Sequence, residues 1–344
     1  MLVVSSPRVA DHVTPPGHPE SPERADVLEA IASRAKARGE EVTAMRPATR
    51  EELLRVHTAA HIDAIQATRG HALMIDADTY TSPDTADVAL LAAGAAVQAV
   101  EAVLTTGDRP HRAAAALVRP PGHHAESDRA MGFCFYNNVA VAAAHARARG
   151  VARVAIVDYD VHHGNGTQHM FYADPSVLYI STHQFPFYPG TGAATEIGER
   201  EGLGFTVNVP IEAGATDGDY MRVFELGVLP VLDQFRPGLL LISAGFDAHE
   251  QDPLAQMRMT SAGFGWMTSE LREMADRVSD GRVVLVTEGG YALSALGASL
   301  DLALIALAGD VADPAPDVVR PATGRGDRAM TALHAAQSGR WRGL

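Results

Sequence analysis

Cysteine is nearly absent: Cys134 is the only one in 344 residues. That excludes an internal disulfide and any zinc site built from several thiolates. No apolar run reads as long enough to span a membrane, and the N-terminus lacks a basic segment leading into an apolar one. Nothing therefore marks the chain for export, and the expectation is a cytoplasmic protein with no membrane partner. Positive charge is scarce as well. Lys and Arg number 28 against 42 Asp and Glu, giving a net charge of −14, which disfavours direct nucleic-acid binding and mildly favours cationic partners. There is no internal repeat, and no linker before about residue 310. What is present, 47% hydrophobic and 20% charged residues, is the composition of a globular enzyme with a sizeable core.

Helical and strand signals alternate along the chain, as in a parallel sheet wrapped by helices. Ser21-Pro22 is placed to open a helix, with the Ser21 hydroxyl as cap. Thr49 and Glu52 have capping-box spacing ahead of Leu53, Leu54, Val56, Ile62 and Ile65. Ser82-Pro83 starts an Ala-rich helix running to about Thr106. Strands are expected at 114–118, 154–157, 177–181, 206–209, 239–243 and 283–286, several of them continuous apolar runs suited to burial on both faces. Helices are expected at 138–149, 219–234 and 263–278. The division expected is one α/β domain over 1–310, followed by a tail, 311–344, loosely attached or packed on the domain, that opens on Asp313-Pro-Ala-Pro316.

Ionisable residues follow four of the strands. Arg119-Pro-Pro-Gly122-His123-His124 comes after the first and Asp158-Tyr-Asp160-Val-His162-His-Gly-Asn165-Gly166 after the second. Ala244-Gly-Phe-Asp247 and Glu288-Gly-Gly-Tyr291 follow two more. In open parallel sheets ligands bind beyond the carboxyl ends of the strands. If strand geometry persists, Asp158, Asp160 and His162 project to one side. Asp160, His162 and Asp247 then supply three ligands for a catalytic zinc that keeps one position open and activates water near neutral pH. An Asp₂His set also accepts iron(II). His123 and His124 are candidates for general base and acid, with Asp158 and Asn165 as their orienting partners. Tyr291 is a candidate donor to a developing oxyanion. Singly, each has a plainer role: a turn histidine, a helix-capping aspartate, a half-buried core tyrosine. Four coincident strand ends make a site the better explanation.

These motifs, together with Gly132-Phe-Cys-Phe-Tyr-Asn-Asn138 and Phe187-Tyr-Pro-Gly-Thr-Gly192, resemble the zinc-dependent histone deacetylase family, nearest its class II and bacterial branches. The likeness runs from about His18 to about residue 305, in the family's motif order. It implies the arginase/deacetylase fold, a single α/β domain with a mainly parallel sheet. It also implies removal of acetyl groups from the amine of acetyl-lysine in peptides or proteins, with release of acetate. By position, Asp160, His162 and Asp247 would bind zinc, His123 and His124 form the catalytic pair, and Tyr291 polarise the acetyl carbonyl. Gly132, Phe133 and Tyr188 would line the acyl tunnel. The resemblance further implies two potassium ions, one near Asp158, Asp160, His162, Ser181 and Thr182, the other near Phe171, Asp174, Val177 and Phe205.

Asn165 stands where class I members have aspartate, and Thr182 is a change at a potassium position. His249 is unexpected and reads as a surface-loop residue. Acetylpolyamine amidohydrolases resemble the chain almost as well, so small acetylated amines are the alternative substrate. Leu254 falls where polyamine-selective relatives carry an acidic gatekeeper, and the 67–83 segment is short, both favouring acetyl-lysine. Glu250 and Asp252 lie close enough in sequence to keep a cationic substrate open. A homo-oligomer is compatible with the sequence. A two-manganese ureohydrolase would need further Asp/His ligands, and a non-catalytic reader would carry some lesion; the sequence shows neither.

Overall fold

The computed structural model describes residues 1–105, 111–310 and 319–344. Eight strands form one sheet: β1 (Leu2–Ser5), β2 (Glu41–Ala44), β3 (Ala113–Ala116), β4 (Val154–Asp158), β5 (Val177–Gln184), β6 (Thr206–Ile211), β7 (Leu239–Ala244) and β8 (Val283–Thr287). Their order is β2-β1-β3-β8-β7-β4-β5-β6, and every neighbouring pair is parallel. Parallel neighbours require crossovers, which the helices provide: α1 (Glu23–Ala37), α2 (Arg50–Leu53), α3 (Ala59–Gln66), α4 (Thr85–Leu104), α5 (Asn138–Ala148), α6 (Asn165–Phe171), α7 (Asp217–Val223), α8 (Leu229–Phe235), α9 (Ser261–Val278), α10 (Leu293–Ala308) and α11 (Arg325–Gln337).

The six expected strands are all present, because runs such as Leu239–Ala244 and Val283–Thr287 are buried at every position and can be covered only by helices on both faces. β1 and β2 were not anticipated. Each has four residues, and the edge strand β2 is half exposed, too little for a periodic signal. β3 consists of four alanines, poor strand formers whose small size lets the Ala-rich α4 lie close against them. Gly94 brings α4 equally close to the 46–48 segment: a Cβ there would sit 2.6 Å from the Ala48 nitrogen.

Several helix limits differ from expectation. α1 begins at Glu23 with Pro22 at its cap position and no side-chain cap; it is the Ser21 carbonyl, not its hydroxyl, that receives the Arg24 N–H. The Thr49–Glu52 box forms in both directions, at 3.2 and 2.7 Å, but α2 lasts one turn. Ile62 and Ile65 belong to α3, capped by Thr58. The helix expected over 219–234 starts at Asp217 and widens into a π turn over Phe224–Val228 before α8. Pro230 has no N–H for the carbonyl four residues earlier, so the register shifts there.

By length and composition α4 would suffice to cross a membrane, contrary to the sequence reading; 67% of its apolar window is buried inside the fold. Its expected end near Thr106 lies outside the described residues, as does 313–316. Beyond them α11 lies along the edge strand β6 and α7. Gln337 donates to the Thr206 carbonyl at 2.8 Å, and Asp219 accepts from Thr323 N, Thr323 Oγ1 and Gly326 N at 3.0, 2.7 and 3.1 Å. The edge of the sheet is thereby covered.

Candidate active site

The carboxyl ends of β3, β8, β7 and β4 are adjacent in the sheet, so the four polar motifs meet at one end of it. β4 stops at Asp158, and the extended geometry does not continue. Asp158 turns to His123 Nδ1 at 3.0 Å and accepts the Tyr179 hydroxyl at 3.0 Å. Asp160 turns instead to His162, whose Nδ1 lies 3.1 Å from both Asp160 Oδ1 and Asp247 Oδ2. The ligand atoms of Asp160, His162 and Asp247 fall within 4.8 Å of one another and are buried.

Backbone amides orient these carboxylates. Asp160 Oδ2 accepts Gly289 N at 2.9 Å, and Asp247 Oδ1 accepts Val161 N at 2.9 Å. Glycine is required at position 289, where a Cβ would collide with Asp247 Oδ2 and lie 2.7 Å from Asp160 Oδ2. Burial and the neighbouring Asp160 charge push the Asp247 carboxyl up to about 7. His162 resists burial through its two carboxylate partners and rises to about 10. Two acids and an imidazole compressed together fit a dication, which would satisfy all three at once. A second cluster, Glu52, Glu101 and His145, is already neutralised: Arg46 reaches both carboxylates and Arg55 donates to His145 Nδ1 at 2.9 Å.

The tandem histidines part company electrostatically. Burial disfavours charge on both, yet Asp158 and Asp160 bring His123 up to about 10. His124, buried beside His123 and His162, is held well below the usual histidine range. Its Nδ1 meets Asn165 Oδ1 at 2.9 Å, and the two rings are 4.0 Å apart. Glu288 anchors their loop, accepting Gly122 N at 2.6 Å and His123 N at 3.2 Å.

A cavity of about 230 Å³ opens over this cluster, lined by Asp78, His124, Gly132, Phe133, His162, Phe187, Tyr188, Leu254 and Tyr291. Three larger clefts among the described residues, of about 340, 510 and 750 Å³, contain none of the clustered side chains. Gly132 keeps the cavity open: a Cβ there would lie 2.6 Å from the His124 ring and 3.0 Å from the Tyr188 hydroxyl. Phe133 holds a left-handed backbone, φ 68°, strained for a bulky residue, and donates its N–H to Thr79 Oγ1 at 3.1 Å. Its ring meets Tyr291 edge-on at 5.8 Å.

Residues 18–307 match the model of the histone deacetylase domain. The chain belongs to the histone deacetylase family. Among curated relatives it is 44% identical to the histone deacetylase-like amidohydrolase of Pseudomonas aeruginosa, across 82% of this chain and 76% of that one. It is 39% identical to a probable deacetylase of Archaeoglobus fulgidus, across 86% and 82%. The human polyamine deacetylase HDAC10 is 40% identical across 94% of this chain, which spans half of that longer protein. The crystal structure of the HDA15 HD domain superimposes with a TM-score of 0.89 at 38% identity, covering 99% of this chain and 96% of that one. The arginase/deacetylase fold and membership among deacetylase hydrolases follow.

As a member of this deacetylase family, the chain assembles most of the residues singled out in its sequence. Asp160, His162 and Asp247 form one cluster, His123 and His124 lie beside it against Asp158 and Asn165, and Gly132, Phe133, Tyr188, Leu254 and Tyr291 join His124 and His162 in the cavity wall. Around the residues expected to hold a first potassium ion, Asp158 and Ser181 are paired in register, and the buried Thr182 hydroxyl lacks a hydrogen-bond partner. Around those expected to hold a second, the carbonyls of Phe171, Asp174 and Phe205 each accept one amide, from Asp174, Val177 and Tyr179 in turn, leaving each a second lone pair.

Three expectations need correction. His249 is buried, not on a surface loop, and stacks on Phe264 at 6.5 Å. Glu250 is paired with Arg320. Asp252 is buried and receives Tyr291 N at 2.7 Å and Leu254 N at 3.0 Å. Neither acid is free to face the cavity; Asp78, unanticipated, lines it. Phe187 was also missed, although its neighbour Tyr188 was not; it stacks on His162 at 5.3 Å. So was Arg24, fully buried, which donates to the Glu288 and Gly290 carbonyls at 2.6 and 2.9 Å and lies 5.2 Å from the centre of the Tyr291 ring.

Proposed function

We propose that this protein hydrolyses the amide of acetyl-lysine in peptides or proteins, releasing acetate. The observation that carries this most is the position of His124, its Nδ1 against Asn165, in the wall of a narrow aromatic slot above the Asp160, His162 and Asp247 cluster. Asp160, His162 and Asp247 would hold the metal, zinc or alternatively iron(II). When bound it supplies a Lewis acid that polarises the acyl oxygen and activates water. His124, neutral and with its Nδ1–H directed to Asn165, presents Nε2 to the cavity, takes a proton from the attacking water and returns it to the departing amine. His123, kept cationic by Asp158, offsets the negative charge that develops. The Tyr291 phenol donates a hydrogen bond to the carbonyl oxygen as it becomes an oxyanion. Phe133, Phe187 and Tyr188 suit a methylene stem in transit, and Leu254 contributes no charge. The carbonyl groups near Asp158 and Ser181 and near Phe171 and Phe205 would hold potassium.

Asp78 favours a second reading, that acetylated polyamines are substrates, since a carboxylate at the cavity attracts a distant ammonium. Acetate release from acetyl-lysine peptides and from acetylputrescine, measured side by side with and without chelator, separates the two. Peptide turnover that exceeds putrescine turnover and disappears with chelator is expected. A reversed preference that Asp78→Ala abolishes would install the polyamine reading instead.

A further inference from the structure

Behind the neutral histidine lies a second chain of contacts reaching to the surface. Asn165 Oδ1 faces His124 Nδ1 at 2.9 Å, while its Nδ2 donates to Glu126 Oε1 at 2.7 Å. The other neighbours of Nδ2, the His124 carbonyl and Met131 Sδ, are both at 3.4 Å and orient it weakly. Glu126 is three-quarters or more covered, its side chain 14% exposed, and Arg129 and His169 lie 3.0 and 3.1 Å from the same oxygen.

An amide has two faces of opposite sense, and its neighbours decide which way it points. Turned over, Asn165 would set its oxygen against the Glu126 carboxylate, acceptor against acceptor. Its NH₂ would then face His124 Nδ1 and require a lone pair there. The proton of His124 would move to Nε2, and the atom facing the cavity would carry hydrogen where the reaction needs a base. With aspartate in place of Asn165 both oxygens accept, and no such choice exists.

We propose that Glu126 is a positioning residue: by holding the Asn165 amide in one sense, it fixes His124 as the Nδ1–H tautomer with a free Nε2. The proposal rests on His124 as the base, so its test must tell the two failures apart. Four forms of the metal-loaded protein are compared: Glu126→Ala, Glu126→Gln, Asn165→Asp and the double variant Glu126→Ala/Asn165→Asp, with His124→Ala as reference. Glu126→Ala should lower kcat about tenfold with little change in KM, the scale typical of orienting partners. Glu126→Gln, which keeps an oxygen acceptor, should restore most of it. In the Asn165→Asp background the same alanine should cost nothing or raise kcat, because it removes a like charge and no amide remains to be turned. ¹⁵N spectra of histidine-labelled protein should show His124 leaving the Nδ1–H tautomer in Glu126→Ala alone. An equal loss in both backgrounds, or an unmoved tautomer, overturns the proposal. Full activity in His124→Ala overturns the underlying base assignment instead.

Discussion

At the scale of single residues, the proposed mechanism separates groups that hold charge from groups that move protons, and substitutions should separate them too. Tyr291 lines the cavity, and its backbone is set from two sides, by the Asp252 carboxylate and by Arg24. Tyr291→Phe removes only the phenol, so metal content should be unchanged while kcat falls about 10²–10³-fold, the range seen when one oxyanion donor is lost. Metal analysis and steady-state acetate release on one sample check both halves, and unaltered turnover would remove the oxyanion role. Gly289 gives the opposite signature. A Cβ there collides with Asp247 Oδ2, and its N–H fixes Asp160. Gly289→Ala should weaken metal binding at least about tenfold, read by competition with a chromophoric chelator; wild-type affinity would show that the two carboxylates can relax.

At the scale of elements, the segment beyond 318 joins the core through Ala329, Met330 and Leu333 and is also held by side-chain hydrogen bonds. Asp219 takes three bonds from 323–326 and two more from Thr216. Asp219→Ala leaves those donors unpaired and should cost about 2 kcal/mol in urea unfolding, with faster hydrogen exchange in α11 and unchanged kcat. Exchange that stays slow in α11 would place its anchoring elsewhere. Elements also show what a sequence discloses. The buried strands were legible because a parallel sheet covered on both faces demands unbroken apolar runs, and each metal-ligand candidate followed such a run directly. β1 and β2 were too short to carry a period. The sense of Asp160 and Asp158 was not legible, since it depends on where β4 ends. Arg24 meets the Glu288 and Gly290 carbonyls across some 265 positions of sequence, and His249 is buried by a ring on α9. Local patterns do not encode such pairings.

At the scale of the whole molecule, one buried carboxylate ties distant parts together. Glu20, fully buried, contacts Arg24 on α1 at 2.8 Å, Arg119 after β3 at 2.6 Å and His12 near the N-terminus at 3.3 Å; Arg24 in turn carries the loop after β8. Burial alone would raise the Glu20 pKa, but Arg119, the His12 hydrogen bond and Arg24 prevail and bring it from 4.5 down to about 2. A depressed carboxyl stabilises the fold fully above its unfolded pKa and progressively less as pH falls toward its folded one. The Glu20 contribution should therefore be complete above pH 4.5 and vanish near pH 2, a difference of roughly 3 kcal/mol. Glu20→Gln mimics the protonated acid while leaving Arg24 and Arg119 without their counter-charge. Urea midpoints of wild type and Glu20→Gln, taken in chelator so that metal loss does not intrude, should differ widely at pH 6 and converge as pH approaches 2. A gap that stays constant with pH would mean that Glu20 acts through shape, with its charge contributing nothing to the junction.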